Sequence, residues 1–344
     1  MLTEKENLEI REYLQNASAP LFYFDNDQDG CASYLLLRRF IGKGAGIPVK
    51  TSPLDMDYFR RVDEFDPDVV FILDQPTVSL EFFDKLNERG IVIVWIDHHE
   101  NNIEEIPPYV HYYNPLYSET HTNVPVTSIC YDITSKKDDI WLAVVGCIAD
   151  RYMPVFYDEF IKKYPDMGVE AKDPFKVFYG SSIGTISRMI GTGLKDRTTN
   201  VVKMMRFLSS VKTPYEILEE KRENHTMHKR FEDIDSKFKR LIDKAKNCVD
   251  DSDILVFKYS GETSMSADIA NKLSYLYPKK NIVVAYVKGV RVNLSIRGSG
   301  IKEKALVAIK DLPHATCGGH DDAVGAQLDE NQLDEFLEKL RKEF

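Results

Sequence analysis

This chain has few cysteines and no long apolar runs, and its basic residues are outnumbered by acidic ones. The five cysteines are scattered at positions 31, 130, 147, 248 and 317, and no two form a Cys-x-x-Cys pair. A zinc ribbon or a disulfide framework is therefore not expected, and reduced, buried thiols are. No segment approaches the roughly 18 apolar residues that a membrane span needs. A membrane protein is not expected either.

The charge balance narrows the choice of partners. The chain has 55 acidic and 45 basic residues, and its formal net charge is −10. This balance argues against a protein that coats long duplex nucleic acid, although it leaves room for a local basic groove. The first 16 residues are charged and have a helical pattern without the apolar core of a signal peptide. A cytoplasmic protein is expected.

The length of 344 residues suits two domains. Apolar runs alternate with helical patterns in the first half, which predicts an α/β domain with a parallel sheet over residues 1–165. Residues 166–248 have a helical pattern and include a long charged amphipathic helix over 213–247, so they are expected to form a connector. Residues 249–344 are expected to form a smaller α/β domain with a mixed sheet.

Acidic residues and histidines follow the apolar runs of the first half. The run 19–24 leads into Asp25, Asp27 and Asp29, the run 68–74 ends at Asp74, and the run 91–96 precedes Asp97, His98 and His99. A further apolar run, 138–149, ends at Asp150. Ligands of parallel sheets bind beyond the carboxyl ends of the strands. We therefore expect these side chains to converge at strand ends.

Several carboxylates with one imidazole suit Mn²⁺ or Mg²⁺ better than a sulfur-loving ion. Two such ions, about 3.5–4 Å apart, would offset the repulsion between the aspartates and activate water for attack on phosphorus. Asp74 is the candidate for the bridging carboxylate, and His98 and Asp150 would complete the shell of the second ion. Asp25 adds a third carboxylate to Asp27 and Asp29.

Each element of this pattern also has a simpler interpretation. A calcium loop of the EF-hand type would need a glutamate six residues after Gly30, where the chain has Leu36. Asp74 could be an ordinary residue between a strand and a loop, and Asp150 could cap a helix. The three residues from Asp97 could lie in a surface loop. The joint pattern favours a metal site.

The C-terminal segment carries a second group of candidates. Residues 291–300, "RVNLSIRGSG", place Arg291, Ser295 and Arg297 on a predicted strand. Residues 317–326, "CGGHDDAVGA", contain Gly318, Gly319 and His320 and predict the start of a helix. Glycines and free amides at a helix start favour phosphate, and arginine adds a fork of donors. A turn followed by a packed helix, with Arg297 exposed, is the alternative.

Together these motifs resemble the DHH phosphoesterases of the branch that carries a DHHA1 domain, which includes RecJ-like exonucleases and nano-RNases. "DNDQDG" resembles the first motif of that family, Asp74 the second, "DHH" at 97–99 the third and "GCIAD", ending at Asp150, the fourth. "GGHDDAVGA" is similar to the GGHxxAxG signature of DHHA1 domains, and "SIRGSG" resembles their substrate-binding strand. Inorganic pyrophosphatase relatives have a different second domain, so this signature argues against them.

The resemblance implies a phosphodiesterase with two metal ions, usually Mn²⁺. It implies that Asp97 orients an imidazole and that His99 contacts the scissile phosphate or protonates the leaving group. The metal ligands that it implies are Asp27, Asp29, Asp74, His98 and Asp150, with Asp74 bridging. Many relatives have histidine where this chain has Asp25, so whether Asp25 binds metal stays open.

The resemblance also implies that the second domain holds substrate phosphate across an interdomain cleft. Its implied contacts are Ser295, Arg297, His320 and the amides near Gly318 and Gly319. The expected substrates are single-stranded DNA or RNA or short oligonucleotides, from which mononucleotides are released. Linear or cyclic dinucleotides are an alternative substrate class. A third possibility is a scaffold in a replication or repair complex, as in RecJ-like proteins that have lost metal ligands.

Overall fold

The computed structural model describes residues 1–344, and they form two compact units, Met1–Phe231 and Glu232–Phe344. The helices between residues 174 and 231 belong to the first unit. The domain boundaries at residues 165 and 248 stay a prediction. None of the helices combines the length and the apolar character that a membrane span requires.

The first unit is built on a five-stranded sheet in the order β2-β1-β3-β4-β5. Every neighbouring pair in it is parallel, so the predicted parallel α/β architecture is confirmed. Because parallel strands end at the same edge, the loops that follow β1, β3 and β4 are brought side by side. The strands are β1 (Pro20–Asp25), β2 (Ala45–Val49), β3 (Val69–Leu73), β4 (Val92–Ile96) and β5 (Val110–Tyr113).

Twelve helices complete the first unit and continue into the second: α1 (Glu4–Asn16), α2 (Gln28–Ile41), α3 (Arg60–Phe65), α4 (Leu80–Glu88), α5 (Val126–Thr134), α6 (Ile140–Ala149), α7 (Tyr157–Lys163), α8 (Pro174–Gly180), α9 (Ser182–Leu194), α10 (Thr198–Ser210), α11 (Tyr215–Leu218) and α12 (His225–Lys246).

Alternation along the strands divides the core of this unit between the two faces of the sheet. Phe22 and Phe71 point to one face, where α2, α5, α6, α9 and α10 pack. Tyr23 and Trp95 point to the other face, against α3 and α4. Strands buried on both faces explain why their sequences are continuous apolar runs rather than alternating patterns.

The prediction of one helix over 213–247 is wrong, because the chain turns between α11 and α12. The buried Asn224 side chain stabilises this turn. Its amide donates to the Glu219 carbonyl at 2.9 Å, and its carbonyl accepts the Lys221 N–H at 2.6 Å. Side chains of this type compete with the backbone for hydrogen bonds and so interrupt helices.

The second unit contains a mixed five-stranded sheet in the order β6-β7-β8-β10-β9, as predicted. β6 and β7 are parallel, and the other pairs are antiparallel. Its elements are β6 (Ile254–Ser260), α13 (Ser266–Leu276), β7 (Asn281–Lys288), β8 (Arg291–Arg297), α14 (Ile301–Ile309), β9 (Thr316–His320), β10 (Ala323–Asp329) and α15 (Leu333–Arg341).

The helix predicted to start within residues 317–326 is absent, and the segment forms the hairpin of β9 and β10 instead. Val324, Ala326 and Leu328 alternate with exposed or polar residues, which is the period of a strand. Gly319 has a φ of +141°, and a Cβ there would lie 2.3 Å from the Ala323 carbonyl oxygen. Glycine is therefore required by the hairpin rather than by a helix start.

Candidate metal centre

Asp74 and Asp97 lie directly beyond the ends of β3 and β4, as predicted. The Asp74 N–H donates to the Ile96 carbonyl at 3.0 Å, and the Asp97 N–H donates to the Tyr113 carbonyl at 3.0 Å. Asp74 has a φ of +57°, a left-handed conformation that aspartate and asparagine adopt more readily than most residues. Both side chains are almost fully buried at the carboxyl edge of the sheet.

Asp27 and Asp29 belong to the start of α2 rather than to a strand end, so the prediction is wrong for both residues. β1 ends at Asp25, and the Asp27 side chain caps α2 by accepting the Gly30 N–H at 2.9 Å. The helix can begin so close to the strand because residue 30 is glycine. A Cβ at this position would lie 2.5 Å from the Asp25 carbonyl oxygen.

Asp29 is held in place by the start of another helix. Its two carboxylate oxygens accept the N–H groups of Val126 and Thr127, at 2.9 and 2.8 Å, at the beginning of α5. The Thr127 hydroxyl also donates to the Asp29 carbonyl at 2.9 Å. Free amides at a helix start favour negative charge, and these bonds fix the orientation of the Asp29 side chain.

Asp150 lies at the C-terminal end of α6, so the prediction that it lies at a strand end is wrong. Residues 140–149 are apolar all round because α6 is buried on all sides, and periodicity does not separate such a helix from a buried strand. The Asp150 carboxylate lies 3.9 Å from His98 Nδ1. The residue therefore reaches the predicted cluster from a different element.

The structure brings all six predicted metal ligands together. Three overlapping groups have possible ligand atoms within 4.8 Å of one another, and Asp74 and His98 each belong to two of them. His98 Nε2 lies 3.3 Å from Asp74 Oδ1. The groups are Asp25, Asp27 and Asp74; Asp29, His98 and Asp150; and Asp74, His98 and His99.

Burial and mutual repulsion raise the pKa of most of these carboxylates. Burial, together with the charges of Asp25 and Asp29, raises the pKa of Asp27 to about 8. Burial and the Asp29 charge raise the pKa of Asp150 to about 7, although 41% of its side chain is exposed. Burial is also the main cause of the raised pKa values of Asp25 and Asp74. The nearby charges of His99 and Arg151 lower the pKa of Asp150 but do not offset burial and repulsion.

The donor set fits divalent cations. Carboxylate oxygens with an imidazole are ligands of Mn²⁺ and Mg²⁺, and cations would remove the repulsion that raises these pKa values. His98 Nδ1 is buried and has no hydrogen-bond partner. A buried polar atom without a partner is costly, and a ligated ion or its water shell would satisfy it.

His99 is held by a network that the sequence did not reveal in full. His99 Nδ1 lies 2.8 Å from Asp97 Oδ1, and Asp97 Oδ2 accepts the Asn101 amide at 2.7 Å. Burial lowers the pKa of His99, but the hydrogen bond and charge of Asp97 outweigh it, so that the pKa is raised. Asn114 fixes the same loop by donating to the His99 carbonyl at 2.8 Å.

Gln75 is a further residue at this edge that sequence reasoning missed. Its side chain is fully buried, and its amide nitrogen lies 3.4 Å from Asp25 Oδ1. Gln75 directly follows Asp74, and Asn101 lies four residues after Asp97. Closeness in sequence to a predicted site residue is the only signal that could have identified Gln75 and Asn101, because amide side chains are common in loops.

The five candidates of the second unit share one region of its sheet. The register aligns Arg297, Ala323 and His320 across β8, β10 and β9, and it aligns Ser295, Gly325 and Gly318 in the same way. His320, Gly318 and Gly325 are exposed. Small residues therefore separate the side chains of Arg297 and His320 on an open part of the sheet. Gly319 also lies on β9, where it pairs with Val324 of β10.

Ser295 and Arg297 are tied to α13. The Ser295 hydroxyl donates to Ser266 Oγ at 2.9 Å, and Arg297 Nε donates to Asn271 Oδ1 at 2.7 Å. Arg297 also donates to the carbonyl of Ile296 at 2.8 Å. The arginine is half-buried and fixed by these bonds rather than fully exposed.

Comparison with known families matches both halves of the chain. The DHH family, N-terminal domain, matches residues 21–148, and the DHHA1 domain matches residues 251–344. These matches cover more than half of the chain and confirm the resemblance seen in its motifs. The chain belongs to the DHH family. A comparison with curated protein sequences finds no match.

Solved structures of several DHH proteins share the fold. RecJ from Thermus thermophilus in complex with Mn²⁺ has a TM-score of 0.70 at 17% identity, over 98% of this chain and 54% of that one. This chain thus spans about half the length of that RecJ. The pGpG-specific phosphodiesterase PggH from Vibrio cholerae has a TM-score of 0.55 at 12% identity, over 95% and 98% of the two chains.

CDC45 from Entamoeba histolytica is also similar, with a TM-score of 0.56 at 11% identity over 99% of both chains. All three proteins are less than a quarter identical to this chain, so these likenesses show the fold. The choice among their activities depends on the residues of this chain.

Proposed function

We propose that this chain is a two-metal phosphodiesterase that releases mononucleotides from single-stranded DNA or RNA or from short oligonucleotides. The observation that carries the proposal is the cluster of five aspartates and His98 at the carboxyl edge of the first sheet, whose possible ligand atoms lie within 4.8 Å of one another in overlapping groups. Such a cluster is unfavourable unless cations balance it.

In this proposal Asp27, Asp29, Asp74, His98 and Asp150 would hold two ions, Mn²⁺ or Mg²⁺. Asp74, which belongs to two of the three ligand groups, would contribute to both ions. The Thermus RecJ structures were solved with Mn²⁺ and with Mg²⁺, which supports this choice of metals. Bound ions would supply Lewis-acid stabilisation of the phosphate and a lowered pKa for the attacking water. Asp25, next to the Gln75 amide, either completes the set or positions it.

His99 supplies the proton in this proposal. Asp97 binds its Nδ1, so the ring orientation is fixed and Nε2 is left for the substrate. The raised pKa of His99 favours the protonated ring, which suits a general acid for the leaving oxygen or a donor to the phosphate. Arg297, Ser295 and His320, with the amides of Gly318 and Gly319, would hold a phosphate of the substrate.

Linear or cyclic dinucleotides are the second candidate substrate class. The net charge of −10 disfavours a long polyanion more than a short one. The compact chain also matches nearly the full length of PggH, a pGpG-specific phosphodiesterase. A scaffold without activity is less well supported, because a chain that has lost catalysis has no need to keep five crowded aspartates.

A time course with Mn²⁺ on 5′-labelled DNA and RNA, from dinucleotides to about twenty-mers, tests the proposal. We expect mononucleotides from the single strands and no cleavage of blunt duplex. Faster cleavage of dinucleotides than of twenty-mers would favour the second substrate class. No product from any of these substrates would refute the proposal.

Asp74→Asn is the matched control for that experiment. Asparagine also tolerates the left-handed backbone at residue 74, where φ is +57°, so the fold is expected to survive. Loss of one carboxylate oxygen between the two ions is expected to lower kcat by about a thousandfold or more. A variant with the circular dichroism and the activity of the wild type would contradict the assigned role of Asp74.

A further inference from the structure

A groove of about 700 Å³ lies along the outer edge of β2 in the first unit. The strand itself, from Gly44 to Pro48, lines the groove. Residues of α2 and α10 line one side, and residues of α3 and the turn before it line the other. Since α2 and α10 pack on one face of the sheet and α3 on the other, the groove continues the plane of the sheet.

Positive charge dominates this groove although the whole chain is acidic. Arg60 and Arg61 are paired with Glu64. Three other basic side chains of the groove form no ion pair. The basic residues that line it are Arg38, Lys50, Arg60, Arg61 and Arg206, against the single acid Asp57. The unpaired cations Arg38 and Arg206 both lie on the side of α2 and α10.

β2 is an open edge, because β1 is its only neighbour in the sheet. Its sequence, AGIPV, has no charged residue, and its one proline, Pro48, presents a carbonyl but no N–H to an added strand. Pro48 has no N–H to donate to β1, so its backbone groups face the open side of the edge strand. Alternate residues of a strand have the same orientation, so the backbone groups of Gly46 also point outward. The Lys50 N–H donates to the Tyr58 hydroxyl at 2.7 Å, and this bond closes the groove beyond the C-terminal end of β2.

Large apolar side chains are also exposed at the groove. Phe65 on the α3 side is 45% exposed, and Val202 on the α10 side is 43% exposed. An added strand would send alternate side chains to the two sides of the sheet. One set would meet Arg38 and Arg206, and the other set would meet Phe65.

We propose that the groove of β2 binds an extended segment of a partner protein, in which acidic and apolar side chains alternate. The segment adds a sixth strand to the sheet and pairs its backbone with the outward groups of Gly46 and Pro48. Its acidic side chains face Arg38 and Arg206, and its apolar side chains cover Phe65. The phosphates of a single-stranded DNA would pair with the cations and could accept the Gly46 N–H, but its sugar-phosphate backbone has no donor for the outward carbonyls of Gly46 and Pro48.

Fluorescence anisotropy with the full chain and a labelled peptide of about nine residues, alternating Asp and Val, tests this proposal. We expect saturable binding, and about tenfold or greater weakening in the double variant Arg38→Glu, Arg206→Glu. Lys203→Glu is the matched control, because Lys203 lies on α10 but does not line this groove. It should bind within about twofold of the wild type, allowing for a small change in long-range charge.

A second peptide, N-methylated at alternate residues, separates strand pairing from charge attraction. It keeps the charges but loses the backbone donors, so we expect about tenfold weaker binding. Hydrogen exchange at residues 44–48 should slow only with the unmodified peptide. Equal binding of the two peptides, or no saturation up to about 1 mM, would overturn the proposal. Equal binding of the unmodified peptide to the double variant and to Lys203→Glu would overturn it as well.

Two other occupants are outcomes of the same experiment. Binding of labelled oligothymidine that is lost in the double variant, without binding of the peptide, would assign the groove to nucleic acid and overturn the proposal. Dimerisation of the chain that is abolished by the double variant would assign it to a second copy and overturn it as well. Circular dichroism of the double variant confirms its fold, and Arg206→Ala, a milder change at an exposed residue, should reproduce part of the loss.

Discussion

At the scale of single residues, Asp97 shows how a side chain outside the metal groups can control chemistry. It is fully buried, binds His99 Nδ1 through one oxygen and accepts the Asn101 amide through the other. This arrangement fixes the orientation of the imidazole and raises the pKa of His99. A carboxylate that holds a histidine in this way therefore affects the pH at which the histidine loses its proton, and with it the pH profile of kcat.

Asp97→Asn is predicted to lower the pKa of His99, because the negative charge that favours the protonated ring is lost. Because the proposed mechanism uses the proton on His99, the alkaline limb of the kcat profile should move to lower pH by about one unit. At neutral pH, kcat should fall about a hundredfold or more with little change in KM. Initial rates with Mn²⁺ between pH 6 and 9 measure the effect.

Asn101→Ala is the control for this prediction. It removes one hydrogen bond to Asp97 and leaves the charge, so the alkaline limb should move less than in Asp97→Asn. Identical pH profiles for all three proteins would contradict the role assigned to the pair of Asp97 and His99.

Residue types were predicted better than residue contacts. Strand-end position identified Asp74, Asp97 and His98, because the carboxyl edge of a parallel sheet is visible in the order of apolar runs. The contact of Asp29 with the amides of α5 joins residues about a hundred positions apart, and no local pattern encodes it. Gln75 was missed for a similar reason, since an isolated amide carries no sequence signal.

At the scale of elements, the close packing of α2 on the end of β1 brings Asp25, Asp27 and Asp29 into one site. The apolar helical spacing of this segment begins only at residue 32. The helix begins at Gln28, because Asp27 caps it and its first turn is polar. Gly30 makes the approach possible, since only a residue without Cβ fits beside the Asp25 backbone.

Gly30→Ala is predicted to weaken Mn²⁺ binding about tenfold or more, because α2 must move away from β1 and take Asp27 and Asp29 with it. The cost in the free energy of unfolding should be about 1–3 kcal/mol, as for other overpacked sites. Urea denaturation and titration calorimetry measure the two effects.

Gly42→Ala at the other end of α2 is the matched substitution. Gly42 has a φ of +75° and no neighbour within 4 Å of a Cβ, so the expected cost is about 1 kcal/mol from the backbone alone. Its affinity for Mn²⁺ should not change. If Gly30→Ala bound the metal as well as Gly42→Ala does, the packing of α2 on β1 would not be what positions the ligands.

The two wrong predictions of element type have physical causes. The run before Asp150 is apolar on every side, and burial on all sides hides the difference between helix and strand. The glycines at 318 and 319 suggested a phosphate-binding helix start, but the alternation that begins at Val324 pairs the segment as a hairpin. In both cases the tertiary partners, which the local sequence does not contain, decided the outcome.

At the scale of the whole molecule, the crowded carboxylates couple stability to pH and to metal. The pKa of Asp27 is raised to about 8 and that of Asp150 to about 7, well above the values expected in an unfolded chain. Between about pH 4 and pH 8 the folded state therefore binds more protons than the unfolded state, and stability from these groups falls as the pH rises.

The metal-free protein is therefore predicted to lose stability between about pH 5 and pH 8, and Asp27→Asn should reduce this loss. Mn²⁺ should raise Tm most at the upper end of the range, because it replaces the protons of the cluster and binds only the folded site. Differential scanning calorimetry with chelator and with Mn²⁺ measures both trends. If the Tm of the metal-free wild type rose over this range and that of Asp27→Asn did not, the raised pKa of Asp27 would be contradicted.

The overall architecture was accessible from sequence because alternating apolar runs and helical patterns define a parallel sheet, and a second strand-rich segment follows the helices. The boundary of the compact units was not accessible in the same way. It falls inside the continuous helix α12, where no change of composition marks it. The turn at Asn224 was equally invisible, since one buried amide side chain determines it.

Titration of the metal-free chain with Mn²⁺ by calorimetry tests the central claim most directly. The account predicts two bound ions per chain, release of protons on binding at neutral pH, and loss of at least one of the two ions in Asp74→Asn. The protons come from carboxyl groups such as Asp27 and Asp150, whose raised pKa values leave them partly protonated. Absence of saturable binding by the folded wild type, or the same two ions bound by Asp74→Asn, would contradict it.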